Sequence, residues 1–136
     1  MEQSIIRGKR ILLVDDEPSI RGCFRMMLEI DDHTVTEANN GAEALELFTK
    51  GQFDLVTTDF EMPVMKGDEL TVRIKQRAPK QPVLMITAYG KQLGGSENPV
   101  DLILNKPFTL DNLRGVIAKL LSNWQDSPSP FVNNLQ

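Results

Sequence analysis

Three observations predict an α/β fold with a parallel sheet covered by helices on both faces. Short apolar runs alternate along the chain with amphipathic helical stripes, the loops between them are short, and residues 11–14 and 83–86 are continuously apolar, as strands are when buried on both sides. Such a doubly wound arrangement requires right-handed crossovers.

The first strand, residues 11–14, ends in the carboxylate pair Asp15-Asp16, and Pro18 suits the first position of a helix, where its missing N–H would be unpaired anyway. Ile20, Phe24, Met27 and Leu28 recur at helical spacing as the buried stripe of that helix, and Cys23 within the pattern is expected in or near the core. Residues 33–38 read as the second strand, with His33 beside a turn in solvent. Asn40 then caps a second helix with Glu43 placed to reach back, and Ala44, Leu45 and Phe48 form its buried face. Residues 53–58 form a third strand that delivers Asp59 at its carboxyl end; Asp54 has a structural place before it. A loop through Met62, Pro63 and Met65 leads to a third helix carrying Leu70 and Ile74, which Pro82 closes. The fourth strand, residues 83–86, ends at Thr87. The fifth, residues 100–104, runs into Asn105-Lys106-Pro107-Phe108, and Thr109 caps a last helix bearing Leu110, Leu113, Ile117, Leu120 and Leu121. Met62, Met65 and Phe108 are expected to pack, and Trp124 to pack where the last helix ends.

The 136 residues, 40% hydrophobic and 25% charged, suit one compact domain and leave no room for a second catalytic one. A net charge of -4 without a basic run argues against nucleic acid. One cysteine cannot form an internal disulfide, which fits a reducing cytoplasm. No apolar run approaches the roughly 20 residues of a membrane span or forms a signal-peptide core, so a soluble chain with no membrane partner is expected. Residues 8–124 are read as the domain and residues 125–136, polar and proline-rich, as a flexible tail or linker.

In open α/β sheets ligands bind outside the carboxyl ends of the strands. Four strand ends here carry Asp15 and Asp16, Asp59, Thr87 and Lys106. Three carboxylates in one pocket repel each other unless a cation neutralises them, and hard oxygen donors without His or Cys suit Mg²⁺. A lysine and a hydroxyl facing that ion suit a transferring phosphoryl group, whose charge spreads over three oxygens. Taken singly, Asp15 and Asp16 also suit a helix cap, Asp59 a turn and Lys106 a solvated position; their coincidence at four strand ends favours a site.

The segments Val14-Asp15-Asp16-Glu17, Asp54 to Asp59 with the following Met62-Pro63 and Gly67, Ile86-Thr87-Ala88 and Lys106-Pro107-Phe108 resemble, in order, the signature of the response-regulator receiver family. The resemblance implies a flavodoxin-like sheet of order 2-1-3-4-5 and a division of labour. Asp59 would be the phosphoacceptor nucleophile. Asp16, Asp15 largely through water, Asp59 and the backbone carbonyl of Glu61 would hold Mg²⁺. Lys106, Thr87 and Ala88 would bind the phosphoryl group and switch. The bond before Pro107 would be cis, Gly67 would relieve the backbone as the third helix starts, and Glu61 and Tyr89 would modulate from the rim. The donor would be a histidine kinase or histidine phosphotransfer protein, and the output a downstream protein bound by a monomer or weak dimer.

Two features depart from that family. Between Thr87 and Lys106 the segment is short, and Gly90, Gly94, Gly95 and Pro99 stand where a helix is expected, so that helix is predicted shortened or missing. Ile103 occupies a position that is often aromatic, so phosphorylation is expected to act through Thr87 on residues 88–100. Two rivals are disfavoured: a phosphatase with an aspartyl-phosphate intermediate, in which Glu61 would be the general acid but for which no substrate-binding cap or spare length exists, and a receiver-like adaptor that is never phosphorylated, which should have lost an acid, the threonine or the lysine, none of which is lost.

Overall fold

The computed structural model describes residues 5–88 and 99–122. The expectations on Tyr89, on the glycine-rich segment and its shortened or missing helix, on Trp124 and on residues 125–136 lie outside the described residues.

Five strands form one parallel sheet: β1 (Arg10–Val14), β2 (Thr34–Ala38), β3 (Leu55–Thr58), β4 (Val83–Thr87) and β5 (Leu102–Asn105), in the order β2-β1-β3-β4-β5. Four described helices accompany them: α1 (Pro18–Ile30), α2 (Gly41–Lys50), α3 (Gly67–Arg77) and α4 (Leu110–Leu121). Register places Val14 beside Ala38 on one side and Thr58 on the other, and Thr87 beside Asn105, so the strand ends line up in one row.

Strand alternation sorts the side chains onto two faces. Ile11, Leu13, Leu84 and Ile86 pack with Phe24 and Leu28 of α1 and with Leu113, Ile117 and Leu120 of α4. Leu12, Val14, Val56 and Val83 pack with Ala44 of α2 and with Leu70 and Ile74 of α3. Each fully buried Leu, Ile or Val contributes about 1.5–3 kcal/mol, which makes the register costly to slip.

Helix starts follow local chemistry. Pro18 opens α1. Asn40 accepts the Glu43 N–H at 2.8 Å, while Glu43 reaches one residue beyond the cap, accepting the Asn39 N–H at 2.7 Å. Thr109 and Asn112 cap α4 reciprocally. The third helix ends at Arg77, ahead of the expected Pro82, because Ala78 precedes Pro79 and is held out of the helical region at φ -143°. Strand three starts later than expected: the Asp54 carboxylate takes the Arg10 N–H at 2.8 Å, giving that residue its structural role.

Three sequence expectations are corrected. Cys23 is exposed, since it falls off the Phe24–Leu28 stripe. Ile20 is 45% exposed, because residues 16–20 are solvated throughout and the first turn of α1 lies clear of the sheet. His33 is buried, at 5% exposure: its Nδ1 accepts the Lys9 N–H at 3.0 Å beside the Thr34 N–H to Lys9 carbonyl bond, so the ring is held against the chain entering β1.

Candidate functional site

The strand order reverses at β1, whose chain goes first to β2 and then back to β3 on the opposite side. That switch opens a crevice at the carboxyl ends of β1 and β3. Backbone bonds fix both rims: the Asp15 N–H donates to the Ala38 carbonyl at 3.2 Å and the Asp59 N–H to the Val14 carbonyl at 3.1 Å.

Asp15, Asp16 and Asp59 each offer a carboxylate oxygen, all within 4.8 Å of one another. The Lys106 ammonium stands 3.6 Å from Asp15 Oδ2 and 3.6 Å from Asp59 Oδ2. The other oxygens are anchored, with Asp15 Oδ1 accepting the Glu17 N–H at 3.0 Å and Asp59 Oδ1 the Phe60 N–H at 2.8 Å. Oδ2 of each is thereby turned toward the lysine. Burial raises the Asp59 carboxyl above its ordinary range, Lys106 and the Phe60 N–H oppose that, and Asp15 and Asp16 push it further up. Glu17 is the cap residue of α1 and makes no side-chain cap bond, and Asp15 meets the start of that helix through Oδ1 alone, which leaves its Oδ2 to the cluster.

Thr87 is fully buried at the end of β4, Ala88 is exposed just beyond it, and the Lys106 N–H donates to the Thr87 carbonyl at 3.0 Å. The Lys106-Pro107 bond is cis. Phe108 packs on Phe24 with ring centroids 5.5 Å apart, and Met62 is buried. Glu61 turns its side chain outward, where Lys66 meets it at 3.4 Å. Tyr89 is outside the described residues.

The loop from Asp59 to α3 is held by close approach. The Gly67 N–H donates to the Phe60 carbonyl at 2.9 Å, and a Cβ on Gly67 would collide with the Asp59 carbonyl oxygen. Gly67 is therefore required by contact with the backbone of Asp59 itself. Val64 lies at φ 76°, costly for a β-branched residue, where the Met65 N–H closes on the Pro63 carbonyl at 2.8 Å. Gly41 makes room for Met65, whose Cβ would stand 2.8 Å from an added methyl.

Sequence reading missed Arg21. Its guanidinium donates to the Asp15 carbonyl and pairs with Glu37 of β2 at 2.7 Å, bracing the strand end that presents both aspartates. Nothing local signals a pairing across 16 positions.

The donor set fits a hard divalent cation: three carboxylates converge, and no histidine or cysteine is among them. The chain is thus a doubly wound α/β protein with an acidic crevice at its switch point and a lysine across it. The response regulator receiver domain model matches residues 11–118, and the chain belongs to that family. It is 33% identical over 126 residues to chemotaxis protein CheY-3 of Vibrio cholerae, covering 88% of this chain and 97% of that protein. It is 34% identical over 128 residues to the transcriptional regulatory protein TcrA of Mycobacterium tuberculosis, covering 92% of this chain but 49% of TcrA's length. Among solved structures, response regulator TrrA of Thermotoga maritima, in complex with Mg²⁺ and BeF, superposes with a TM-score of 0.79 at 36% identity, covering 83% of this chain and 99% of that one. None of the described helices is long and apolar enough to cross a membrane.

Proposed function

We propose that Asp59 accepts a phosphoryl group from the phosphohistidine of a histidine kinase or histidine phosphotransfer protein in the cytoplasm. The observation that carries this is the convergence of Asp15, Asp16 and Asp59 within 4.8 Å, with Lys106 3.6 Å from two of them. An Asp59 oxygen attacks phosphorus, the phosphorus–nitrogen bond breaks, and its electron pair stays on the donor imidazole. Lys106 stabilises charge on the phosphoryl oxygens, and Thr87 and Ala88 supply a hydroxyl and a backbone N–H on the other side. Asp15, Asp16, Asp59 and the carbonyl of Glu61 are the groups that would hold Mg²⁺, which supplies charge neutralisation and alignment when bound.

Modification of Asp59 shifts a pre-existing equilibrium, with Thr87 drawn toward the phosphoryl group and a downstream protein reading the result. Residues 8–124 form the phosphoacceptor domain and residues 125–136 a tail or linker. The outward turn of Glu61 toward Lys66 speaks against its use as a general acid on an external substrate.

Intact-mass measurement after incubation with a small-molecule phosphodonor, with Mg²⁺ or with chelator, tests this. One phosphoryl mass is expected with Mg²⁺, none in chelator and none in Asp59→Asn. A modified aspartate in the Asp59→Asn chain means that another residue is the acceptor.

A further inference from the structure

The three carboxylates of the acidic cluster are not held alike. Asp15 and Asp59 each have one oxygen fixed by a backbone N–H, from Glu17 at 3.0 Å and from Phe60 at 2.8 Å. Asp16 is exposed, and its carboxylate accepts no hydrogen bond among the described residues. Its aim is therefore set by the backbone that carries it. The peptide unit entering Asp16 contains the Asp15 carbonyl, and that carbonyl accepts a hydrogen bond from Nη1 of Arg21.

We propose that Arg21 is a positioning residue for Asp16 as a Mg²⁺ ligand: it fixes the plane of the Asp15-Asp16 peptide and, through it, the direction of the Asp16 carboxylate. The proposal rests on the phosphoacceptor reading, in which Asp16 is one of the groups that would hold the ion.

Geometry supports it first. The guanidinium spends two different nitrogens, with Nε 2.7 Å from Glu37 Oε1 on β2 and Nη1 on the Asp15 carbonyl. A guanidinium is planar and its donors keep a fixed spacing, so holding one end aims the other. Glu37 is itself held from the far side, where its Oε2 accepts from Arg25 Nη1, and Arg25 is braced by Glu29 at 2.8 Å. The Arg21 guanidinium, with Arg25 adding to it, holds the Glu37 carboxyl below its ordinary range, so the anchor stays charged. Only 12% of the Arg21 side chain is exposed, and its own N–H donates to the Glu17 carbonyl at 2.9 Å, which ties the brace to the first turn of α1.

Electrostatics supplies the means of deciding. A fixed positive charge near a cation site opposes the cation, so removal of the Arg21 charge alone would tighten Mg²⁺ binding. Removal of a group that orients a metal ligand weakens binding instead, by about 10–100-fold. The two effects have opposite signs.

Mg²⁺ titrations without phosphodonor, followed through the amide resonances of residues 15, 16 and 59, are to be compared for the wild type, Arg21→Met and Arg21→Lys. Methionine fills similar space with neither charge nor donor, and lysine keeps the charge on one nitrogen in place of the fork. Urea unfolding checks that each variant is folded. The expected result is a Mg²⁺ dissociation constant raised about 10-fold or more in Arg21→Met, an intermediate value in Arg21→Lys, and a modification rate that returns to the wild-type value in both at saturating Mg²⁺. Affinity at or above the wild-type value in either folded variant overturns the proposal. So does a modification rate that stays low at saturating Mg²⁺, which would place Arg21 in the transfer step. A wild-type chain that binds Mg²⁺ but gains no phosphoryl mass refutes the phosphoacceptor reading and leaves the positioning role to be judged by the titrations alone.

Discussion

Replacing Gly67 with alanine tests how tightly Asp59 is held. The added Cβ would collide with the Asp59 carbonyl oxygen and lie 3.0 Å from the Asp59 carbonyl carbon and 3.1 Å from Phe60 Cα. Carbon–carbon contacts are comfortable at about 3.5–4.0 Å, so the loop backbone must move by an amount on the order of 1 Å. The Gly67 N–H to Phe60 carbonyl bond, 2.9 Å, resists that movement. Overpacking of this kind costs about 1–3 kcal/mol, and a misplacement of about 1 Å lowers the rate of a positioned reaction by about 100-fold. Gly67→Ala is therefore predicted to unfold at lower urea and to gain phosphoryl mass about 100-fold more slowly. Gly22 is the control: it lies within α1 with open space around it, so Gly22→Ala should stabilise by about 1 kcal/mol and leave modification unchanged. A Gly67→Ala chain that is modified at the wild-type rate with an unchanged urea midpoint would refute the idea that this contact fixes the acceptor.

Asp59→Asn should hold or raise stability in urea at neutral pH, because it removes a carboxylate that burial and two neighbouring aspartates already disfavour; a marked loss of stability would contradict this. Arg114→Met should cost about 2 kcal/mol, since it strips the two 2.9 Å bonds from the buried Asp31 carboxylate; the cost falls below the ~3–5 kcal/mol of fully buried pairs because Arg7 stays 3.8 Å away. Burial holds His33 below its ordinary 6.5 against the opposing pull of Asp31 and Asp32, so the unfolded chain takes up this proton first as the pH falls. Its contribution is full above about pH 6.5 and is lost as the pH drops through the folded value. Urea midpoints between pH 5 and 7.5 should slope upward with pH and lose that slope in His33→Asn, and a slope that persists there assigns it to another group.

The position of the candidate site was readable because the strands are short and each strand end is a point in sequence. Once residues 11–14 and 83–86 read as strands buried on both faces, Asp15, Asp59, Thr87 and Lys106 fell at strand ends without knowledge of any tertiary contact. Caps at Asn40 and Thr109 were equally local, each a hydroxyl or amide oxygen three residues from the N–H it accepts. Periodicity was less informative about α1. A stripe names a helix face, but how far the helix overhangs its sheet decides which members are covered, and so Ile20 is exposed while Phe24 is buried.

What stayed hidden was contact between residues distant in sequence. Asp31 meets Arg114 across 83 positions, and Arg21 reaches Glu37 and the Asp15 carbonyl from a neighbouring element; neither pairing leaves a pattern in composition or spacing. His33 illustrates the cost of judging polarity alone. A histidine beside two aspartates reads as solvated, yet its Nδ1 takes the place of a carbonyl for the Lys9 N–H, so the ring is buried and serves the backbone. Gly67 shows the reverse. Its place before a helix suggested backbone freedom, whereas its φ is unexceptional and the missing Cβ matters because the Asp59 carbonyl occupies that space. The glycine and the aspartate eight residues before it are therefore one feature: the turn can present a carboxylate beside Lys106 only where the helix that follows leaves its first side chain out.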